Sequence, residues 1–150
     1  MDSLDKKALA FLMEHGRATW AELGEVLGLS APATADRVRK LEKEGVIRGY
    51  AALPDPDQLG YPLLAFVSVT LQSQRSRSAF LKAIGKMQEV LEAHHVAGDD
   101  DYQLKVRCRS TLDLNRILAQ ELKAKHGVAR TRTTIVLATA KETIKLPVAP

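Results

Sequence analysis

Basic side chains are concentrated in one short segment of the first third of the chain. Five of the eight lysines and arginines that precede Gly60 lie between Arg37 and Arg48. Lysine and arginine bind phosphate oxygens, and arginine also donates two hydrogen bonds to the edge of guanine. The clustering predicts a nucleic-acid contact in this segment. The overall charge does not predict this contact, because residues 1–60 carry eight bases and ten acids. The net charge of +4 comes from the rest of the chain.

Helical periodicity separates this segment into two faces. A helix that begins after Ser30, with Pro32 in its first turn, and ends before Gly45 has Thr34, Val38 and Leu41 as its inward stripe. Small residues at its start let the backbone approach the bases, and the basic residues that follow reach phosphates. The predicted DNA-contacting residues are Ser30, Pro32, Ala33, Asp36, Arg37, Arg39, Lys40 and Lys43. The alternative is a solvated helix face, and for Arg37, nearer the buried edge, a structural ion pair.

Two shorter patterns precede this helix and complete a DNA-binding motif. Apolar spacing predicts a helix over residues 4–13, and Thr19 followed by Glu22 forms a capping box for a second helix over residues 20–27. Gly28 then supplies the turn, because glycine adopts positive φ without strain. Two short helices joined by a tight glycine turn, with a basic helix as the second, are typical of a helix-turn-helix.

A wing and a linker are expected to follow. Residues 46–52 are β-prone and extended, so residues 1–52 are predicted to form a winged helix-turn-helix domain. Residues 53–61 contain Pro54 and Pro56, which disfavour regular structure, and are predicted to be a linker.

From residue 62 onward the sequence alternates between strand and helix patterns. Strands are predicted over residues 63–71, 90–97, 102–109 and 130–139, and helices over residues 76–87 and 111–126. The order β-α-β-β-α-β is that of a ferredoxin-like domain, here assigned to residues 62–140, with residues 141–150 as a frayed tail. The predicted fold class is therefore α+β.

Such a sheet carries helices on one face, which leaves the other face open. Leu64 and Phe66 point away from the Ala65-Val67-Val69 face of the first strand, so the open face is expected to be apolar. A whole sheet face of exposed apolar side chains is a larger apolar patch than monomeric proteins usually leave in contact with water. The sequence therefore predicts a homodimer in which two sheets pack face to face.

The turn between the second and third predicted strands is unusually acidic. Gly98 is followed by Asp99, Asp100 and Asp101, and three adjacent carboxylates destabilise a turn unless something compensates their charge. A carboxylate at a glycine turn can accept an ammonium group, and neighbouring backbone N–H groups can hold a carboxylate. The turn therefore suits an amino-acid zwitterion, whereas the alternative is a bare solvated turn.

Other residue types exclude several classes of protein. The single cysteine, Cys108, cannot form an internal disulfide or a thiolate metal cage. His94 and His95 are adjacent on a strand and point to opposite faces, so they cannot chelate a metal together. No apolar run is long enough to span a membrane, and the N-terminus lacks the order of a secretory signal. A cytoplasmic protein without metal or cofactor is expected.

Both motifs resemble those of one known family. Leu29-Ser30-Ala31-Pro32-Ala33-Thr34, together with residues 37–47, is similar to the helix-turn-helix signature of the Lrp/AsnC, or feast/famine, regulators. Val96-Ala97-Gly98-Asp99-Asp100-Asp101-Tyr102 resembles the glycine–aspartate turn of the same family. The resemblance covers almost the whole chain. It implies transcriptional control through double-stranded DNA, a ferredoxin-like effector domain, and dimers that assemble into octamers.

The resemblance also implies an amino-acid site between assembled subunits. The residues implied for it are those of the turn and a facing stretch of the last strand: Gly98, Asp99, Asp100, Asp101, Tyr102, Thr134, Ile135 and Val136. Asp100 stands where the family usually has an aromatic residue. An extra charge there is expected to favour a cationic or small polar amino acid.

Two other functions remain open on the sequence alone. Sirohaem decarboxylase subunits resemble the same two-domain architecture, and that enzyme would gather basic and histidine residues around a tetrapyrrole. A ligand-buffering or interaction module with a vestigial helix-turn-helix is the third interpretation. The bases retained on the outward helix face favour the regulator, which is not an enzyme.

Overall fold

The computed structural model describes residues 1–123 and 127–148. It divides into two compact units, the first formed by Met1–Leu53 with the segment that begins at Lys141, the second by Pro54–Ala140. The end of the helix predicted to reach residue 126, and residues 149 and 150 of the predicted tail, lie outside the described residues.

The first unit is built from three helices, and the chain signals where each one begins. Helix α1 spans Ser3–Glu14, α2 spans Trp20–Leu27 and α3 spans Ala31–Lys43. Asp2 and Thr19 each form a capping box at the start of α1 and α2, and the Ser30 side chain accepts from the backbone N–H of Ala33. The helix-turn-helix predicted from the Thr19 and Ser30 caps and the Gly28 turn is confirmed.

The turn between α2 and α3 depends on two glycines. Gly28 ends α2 with φ of 69°. Gly24 lies where α2 meets the start of α3, and a Cβ there would lie 2.7 Å from the Leu29 carbonyl oxygen and 3.2 Å from Thr34 Oγ1. Only a residue without a side chain lets the two helices come this close. Behind the turn, a core is formed by Ala8, Leu12, Leu23, Leu27 and Val38.

The wing expected over residues 46–52 does not form a strand. A strand requires a neighbour for its backbone groups, and in the described part of the chain every strand belongs to the sheet of the second unit. The segment instead turns back on α3. The N–H groups of Val46 and Ile47 both donate to the Leu41 carbonyl, and the Tyr50 hydroxyl donates to Glu42 Oε1 at 3.0 Å.

The second unit contains one four-stranded antiparallel sheet. Its strands are β1, Leu63–Leu71; β2, Val90–His95; β3, Tyr102–Cys108; and β4, Val128–Ile135. Their order in the sheet is β2-β3-β1-β4, with every neighbouring pair antiparallel. This is the arrangement of the predicted ferredoxin-like fold.

The helical side of the sheet carries the core of this unit. Helix α4 spans Arg77–Ile84 after a 3₁₀ turn at Gln74–Ser76, and α5 spans Thr111–Arg116 and continues as π-helical turns over Ile117–Lys123. Alternate residues of β1 and β3 are fully buried beneath them, and Phe80 and Ile84 of α4 pack against these. α4 is shorter than predicted because Gly85 follows Ile84 and ends it.

The opposite face of the sheet is not the apolar surface that the sequence predicted. The strand register puts polar or charged residues on this face at most positions: Glu92, His94, Gln103, Lys105, Arg107, Arg130, Arg132 and Thr134. Leu64 is buried, and Phe66 is the large apolar side chain exposed there, at 39%. The prediction was wrong because it considered β1 alone, whereas the neighbouring strands supply most of this face.

Candidate DNA interface and effector turn

Helix α3 presents its two faces as the periodicity predicted. Thr34, Val38 and Leu41 are buried, and Thr34 Oγ1 also donates to the Ser30 carbonyl at 2.9 Å. The exposed residues of the helix are Pro32, Ala33, Asp36, Arg39, Lys40, Glu42 and Lys43. Pro32, Asp36, Arg39 and Lys43 follow one another at intervals of three or four, so they form a single outward stripe. The helix thus offers small residues at its start and cations towards its end.

Two of the predicted contact residues already pair with acids on the same helix surface. Arg39 Nη1 donates to Asp36 Oδ1 at 3.0 Å, and Lys40 Nζ lies 3.9 Å from Glu44 Oε1. All four side chains are exposed, so water screens these pairs and each contributes little to stability. Neither pair prevents the cation from reaching a phosphate.

Arg37 is held differently, because it points back into the unit. Its Nη1 donates to both carboxylate oxygens of Asp2, at 2.8 and 2.7 Å, and to Asp5 Oδ1 at 2.5 Å. The Asp5 side chain is 8% exposed, which makes this a partly buried ion cluster. The cluster joins the first turn of α1 to the middle of α3 and takes Arg37 out of the outward stripe.

Ionisation of this cluster is favoured at neutral pH. The side-chain hydrogen bond from Arg37, with the backbone N–H of Asp5, lowers the pKa of Asp2 below its usual value. Burial opposes ionisation of Asp5, but the hydrogen bonds from the Asp2 backbone and from Arg37 outweigh it and lower its pKa. Hydrogen bonds to Asp2 and Asp5 in turn raise the pKa of Arg37.

In the second unit, the negative charge of Asp100 in the acidic turn is compensated by arginines of the same unit. Asp100 is 8% exposed although it lies at the tip of a hairpin. Its carboxylate accepts from Thr70 Oγ1 at 2.9 Å and from Arg132 Nη2 at 2.5 Å, and Arg130 Nη2 lies 3.5 Å away. The charge that was expected to attract a cationic effector is therefore already neutralised by two arginines of β4. The preference for a cationic effector therefore gains no support from an unpaired charge at Asp100 and stays a prediction.

Asp101 attaches the turn to β1. Its backbone N–H donates to the Val69 carbonyl at 2.9 Å, and its Oδ2 accepts from the Leu71 N–H at 2.7 Å. These contacts leave Gly98 and Asp99 as the exposed part of the turn. Of the three carboxylates, that of Asp99 is thus the most accessible to a ligand.

Tyr102 lies directly after the turn and is 3% exposed, on the helical side of the sheet. Its ring packs against Phe80 and His95, at centroid distances of 5.1 and 5.2 Å, with the Arg77 guanidinium 6.0 Å from the ring centre. Its hydroxyl is buried and has no hydrogen-bond partner within residues 1–123 and 127–148.

The stretch Thr134-Ile135-Val136 does not face the turn within one chain. Thr134 pairs with Phe66 and Ile135 with Ala65, and Val136 N–H donates to the Leu64 carbonyl. The turn, in contrast, contacts Thr70 and Leu71 at the other end of β1. Phe66 and Thr70 are four steps apart along β1, about 13 Å. Within one chain the antiparallel register brings Arg130 and Arg132 to the turn, and a contact of residues 134–136 with the turn of a second copy stays a prediction.

Sequence reasoning missed the partners of both ion clusters: Asp2, Asp5, Thr70, Arg130 and Arg132. Arg130 and Arg132 could have been found, because arginines two apart on a strand share a face and an acid-rich turn requires such a partner. The Asp2–Arg37 contact has no comparable local signal, since the two residues are 35 positions apart.

The described ranges contain no cluster of metal-ligating side chains. No group of three or more histidine, cysteine or acidic residues could hold a metal ion there. His94 contacts Glu92 on the open face whereas His95 stacks on Tyr102, so the two imidazoles do lie on opposite faces. The Cys108 thiol is buried, and burial raises its pKa, which disfavours the reactive thiolate. None of the described helices has the length and apolar character needed to cross a bilayer.

Two family models match the chain, one on each unit. The AsnC-type helix-turn-helix domain matches residues 1–42, and the Lrp/AsnC ligand binding domain matches residues 64–146. The first match contains α1, α2 and most of α3, and the second contains all of the sheet except Leu63, the first residue of β1.

Relatives and solved structures agree with these models over the full length. An HTH-type transcriptional regulator of Pyrococcus horikoshii is 35% identical over 148 residues, 99% of this chain and 97% of the relative. The leucine-responsive regulatory protein of Escherichia coli K12 is 36% identical over 97% of this chain and 90% of the relative.

Among solved structures, a Neisseria meningitidis transcriptional regulator in complex with L-methionine has a TM-score of 0.94, with 32% identity over 98% of this chain and 96% of that one. AsnC of E. coli has a TM-score of 0.91, with 31% identity over 98% and 99% of the two chains. These matches give no support to the enzyme alternative, since the relatives are regulators. The chain belongs to the Lrp/AsnC family of transcriptional regulators.

Proposed function

We propose that this regulator reads double-stranded DNA with the outward stripe of α3. The observation that supports this most directly is the stripe itself, in which small residues precede exposed cations on a capped helix. Ser30, Pro32 and Ala33 allow the backbone to approach the bases, Arg39 reads a base edge, and Lys40 and Lys43 bind phosphates. Arg37 is assigned to the Asp2–Asp5 cluster rather than to DNA.

The test is fluorescence anisotropy with a duplex selected from genomic fragments. The variant with Arg39, Lys40 and Lys43 all replaced by alanine should lose affinity and show a shallower dependence on salt, because fewer counterions are released. The matched control replaces Arg75, Lys82 and Lys86, three exposed cations of the second unit, by alanine. Arg39→Ala alone should weaken specific binding by about 1–3 kcal/mol. Unchanged affinity in the triple variant would refute this assignment of the recognition helix.

We propose further that an amino acid acts as the effector and binds at the Gly98–Asp101 turn. The exposed Asp99 carboxylate can accept its ammonium group, and Gly98 and Asp99 are the part of the turn that is exposed to a ligand. Thr134, Ile135 and Val136 contribute to this site only if they come from a second copy, since they are remote from the turn of their own chain. The methionine complex of the Neisseria relative supports an amino-acid effector.

Calorimetry over the common amino acids tests the effector site. Asp99→Ala should weaken binding of the amino acid that binds the wild type, and so should Asp101→Ala, which releases the turn from β1. Asp57→Ala is the control, because it removes an exposed acid of the second unit outside both the turn and the sheet. Equal affinity in the wild type and both turn variants would exclude this site, and no binding to the wild type would exclude the effector.

A homodimer and a cytoplasmic location complete the proposal. Phe66 is exposed on the open sheet face between charged residues of both signs, among them Glu92 and Lys105, which suits two-fold pairing of that face. Octamers are proposed from the family resemblance. Light scattering should give a dimer or a larger assembly at micromolar concentration, and Phe66→Asp should shift it towards monomer. A two-fold dimer would select a pseudo-palindromic duplex with half-sites about one helical turn apart or a multiple of it.

A further inference from the structure

The outward stripe of α3 contains one acid whose presence the proposed function does not explain. Asp36 is 77% exposed in its side chain and lies one turn before Arg39, which is 66% exposed. A carboxylate on a DNA-facing surface repels phosphates and therefore weakens binding to any sequence. Asp36 Oδ1 accepts a hydrogen bond from Arg39 Nη1 at 3.0 Å, and this contact can offset the repulsion by acting on the position of Arg39.

The chemistry of the guanidinium makes this contact directional. Arginine has five N–H donors in one rigid plane, and Asp36 uses one of them. The remaining donors stay available, and two of them can bind O6 and N7 of the same guanine. Holding Nη1 restricts the rotation of the plane before DNA arrives. Less conformational freedom is then lost on binding, which is the general advantage of preorganisation.

We propose that Asp36 is a specificity-determining residue that positions Arg39 for guanine recognition. Its carboxylate restricts the rotation of the Arg39 guanidinium plane, so that the plane is oriented to bind the edge of a guanine. Its negative charge also disfavours phosphate contacts at non-cognate sites. This inference rests on the proposed DNA-reading role of α3. The Lys40–Glu44 pair on the same helix cannot act in this way, because an ammonium group has no plane to orient and the pair is longer, at 3.9 Å.

The pair is tested by measuring two affinities for each protein, one for the selected duplex and one for an unrelated duplex. Asp36→Ala should weaken binding to the selected duplex and tighten binding to the unrelated one, so that the ratio of affinities falls by about tenfold. Glu25→Ala is the matched control, because it removes an equal charge from exposed surface of α2 without touching Arg39. It should leave the ratio unchanged.

Arg39→Lys keeps the positive charge but removes the planar set of guanidinium donors, so it should lower the ratio of the two affinities to a similar extent. The double variant Asp36→Ala/Arg39→Lys should lose little more than either single variant if the two residues act as one unit. Circular dichroism verifies that each variant keeps its helices.

Two results would overturn the inference. One is an Asp36→Ala variant whose two affinities change by the same factor, as expected for an ordinary surface charge. The other is an Arg39→Lys variant that retains the wild-type ratio. A wild type that fails to distinguish the two duplexes would instead contradict the proposed function itself, and this is visible before any variant is made.

Discussion

The two units contain ion clusters that are mirror images of each other in charge. In the first unit one arginine, Arg37, is held by two aspartates. In the second unit one aspartate, Asp100, is held by two arginines, Arg130 and Arg132. Both central residues were candidates for a ligand contact in the sequence, Arg37 for DNA, with a structural ion pair as the alternative, and Asp100 for an effector. In the structure each of them is paired with oppositely charged side chains of its own unit.

The two clusters differ in which members remain exposed. Asp5 is nearly buried beside Arg37, so the first cluster contributes mainly to the docking of α1 on α3. Arg130 and Arg132 are largely exposed around the buried Asp100, so the second cluster secures the turn and keeps donors in contact with solvent. In the first cluster only Asp5 is nearly buried and Asp2 is exposed, whereas in the second cluster both peripheral arginines are exposed and can also contact a partner.

The largest expected effect comes from removing the centre of the first cluster. Arg37→Met leaves two carboxylates without their cation, one of them nearly buried, and should lower the free energy of unfolding by about 2–3 kcal/mol. Urea unfolding followed by fluorescence of Trp20, the single tryptophan, reports on the first unit. Arg39→Met is the matched control and should change stability by less than about 0.5 kcal/mol. An unchanged stability together with a salt slope lower by about one would mean that Arg37 contacts a phosphate.

A smaller effect is expected at the centre of the second cluster. Asp100→Asn removes the charge that pairs with Arg130 and Arg132, but both arginines retain water, so about 1 kcal/mol is expected. Cys108 is buried in this unit, and the rate at which a thiol reagent labels it in the folded protein measures opening of the unit. Asp99→Asn, exposed in the same turn, should leave that rate unchanged. Equal labelling of both variants would contradict the compensated charge at Asp100.

The smallest effect is a dependence of the free energy of unfolding on pH, which the first cluster predicts. The pKa values of Asp2 and Asp5 are lowered from 3.8, so their contribution is complete at neutral pH and is lost as pH falls through the lower values of the folded state. Unfolding of the first unit, followed by Trp20, should become easier below about pH 4. Asp5→Asn should flatten this dependence. The same slope in that variant would assign the acid sensitivity to other carboxylates.

Local signals in the sequence were sufficient to predict most of the fold. The Thr19 capping box and Gly28 predicted the bounds of α2, and the alternation from Leu63 to Leu71 predicted those of β1. These signals succeed because caps, turns and strand alternation act over a few neighbouring residues. The ferredoxin-like order of strands followed from the order of the elements.

The site was less predictable because its decisive contacts are remote in sequence. Arg37 meets Asp2 and Asp5 only when α1 packs on α3, and Asp100 meets Arg132 only when β4 lies beside β1. The misplacement of Thr134 relative to the turn has the same origin, since register along a strand is a property of the pair. Periodicity gives the face on which a residue lies, but not its position along the neighbouring strand.

The close approach at Gly24 has a consequence for how this regulator can change its targets. Gly24 and the buried Thr34 fix how far α3 stands from α2, whereas Asp36 and Arg39 on the opposite side take no part in that contact. The face of α3 that packs on α2 is therefore separate from the face that is proposed to contact DNA. If α3 reads DNA as proposed, the residues of the outward stripe can be exchanged, and new operators acquired, without a change in the distance between α2 and α3.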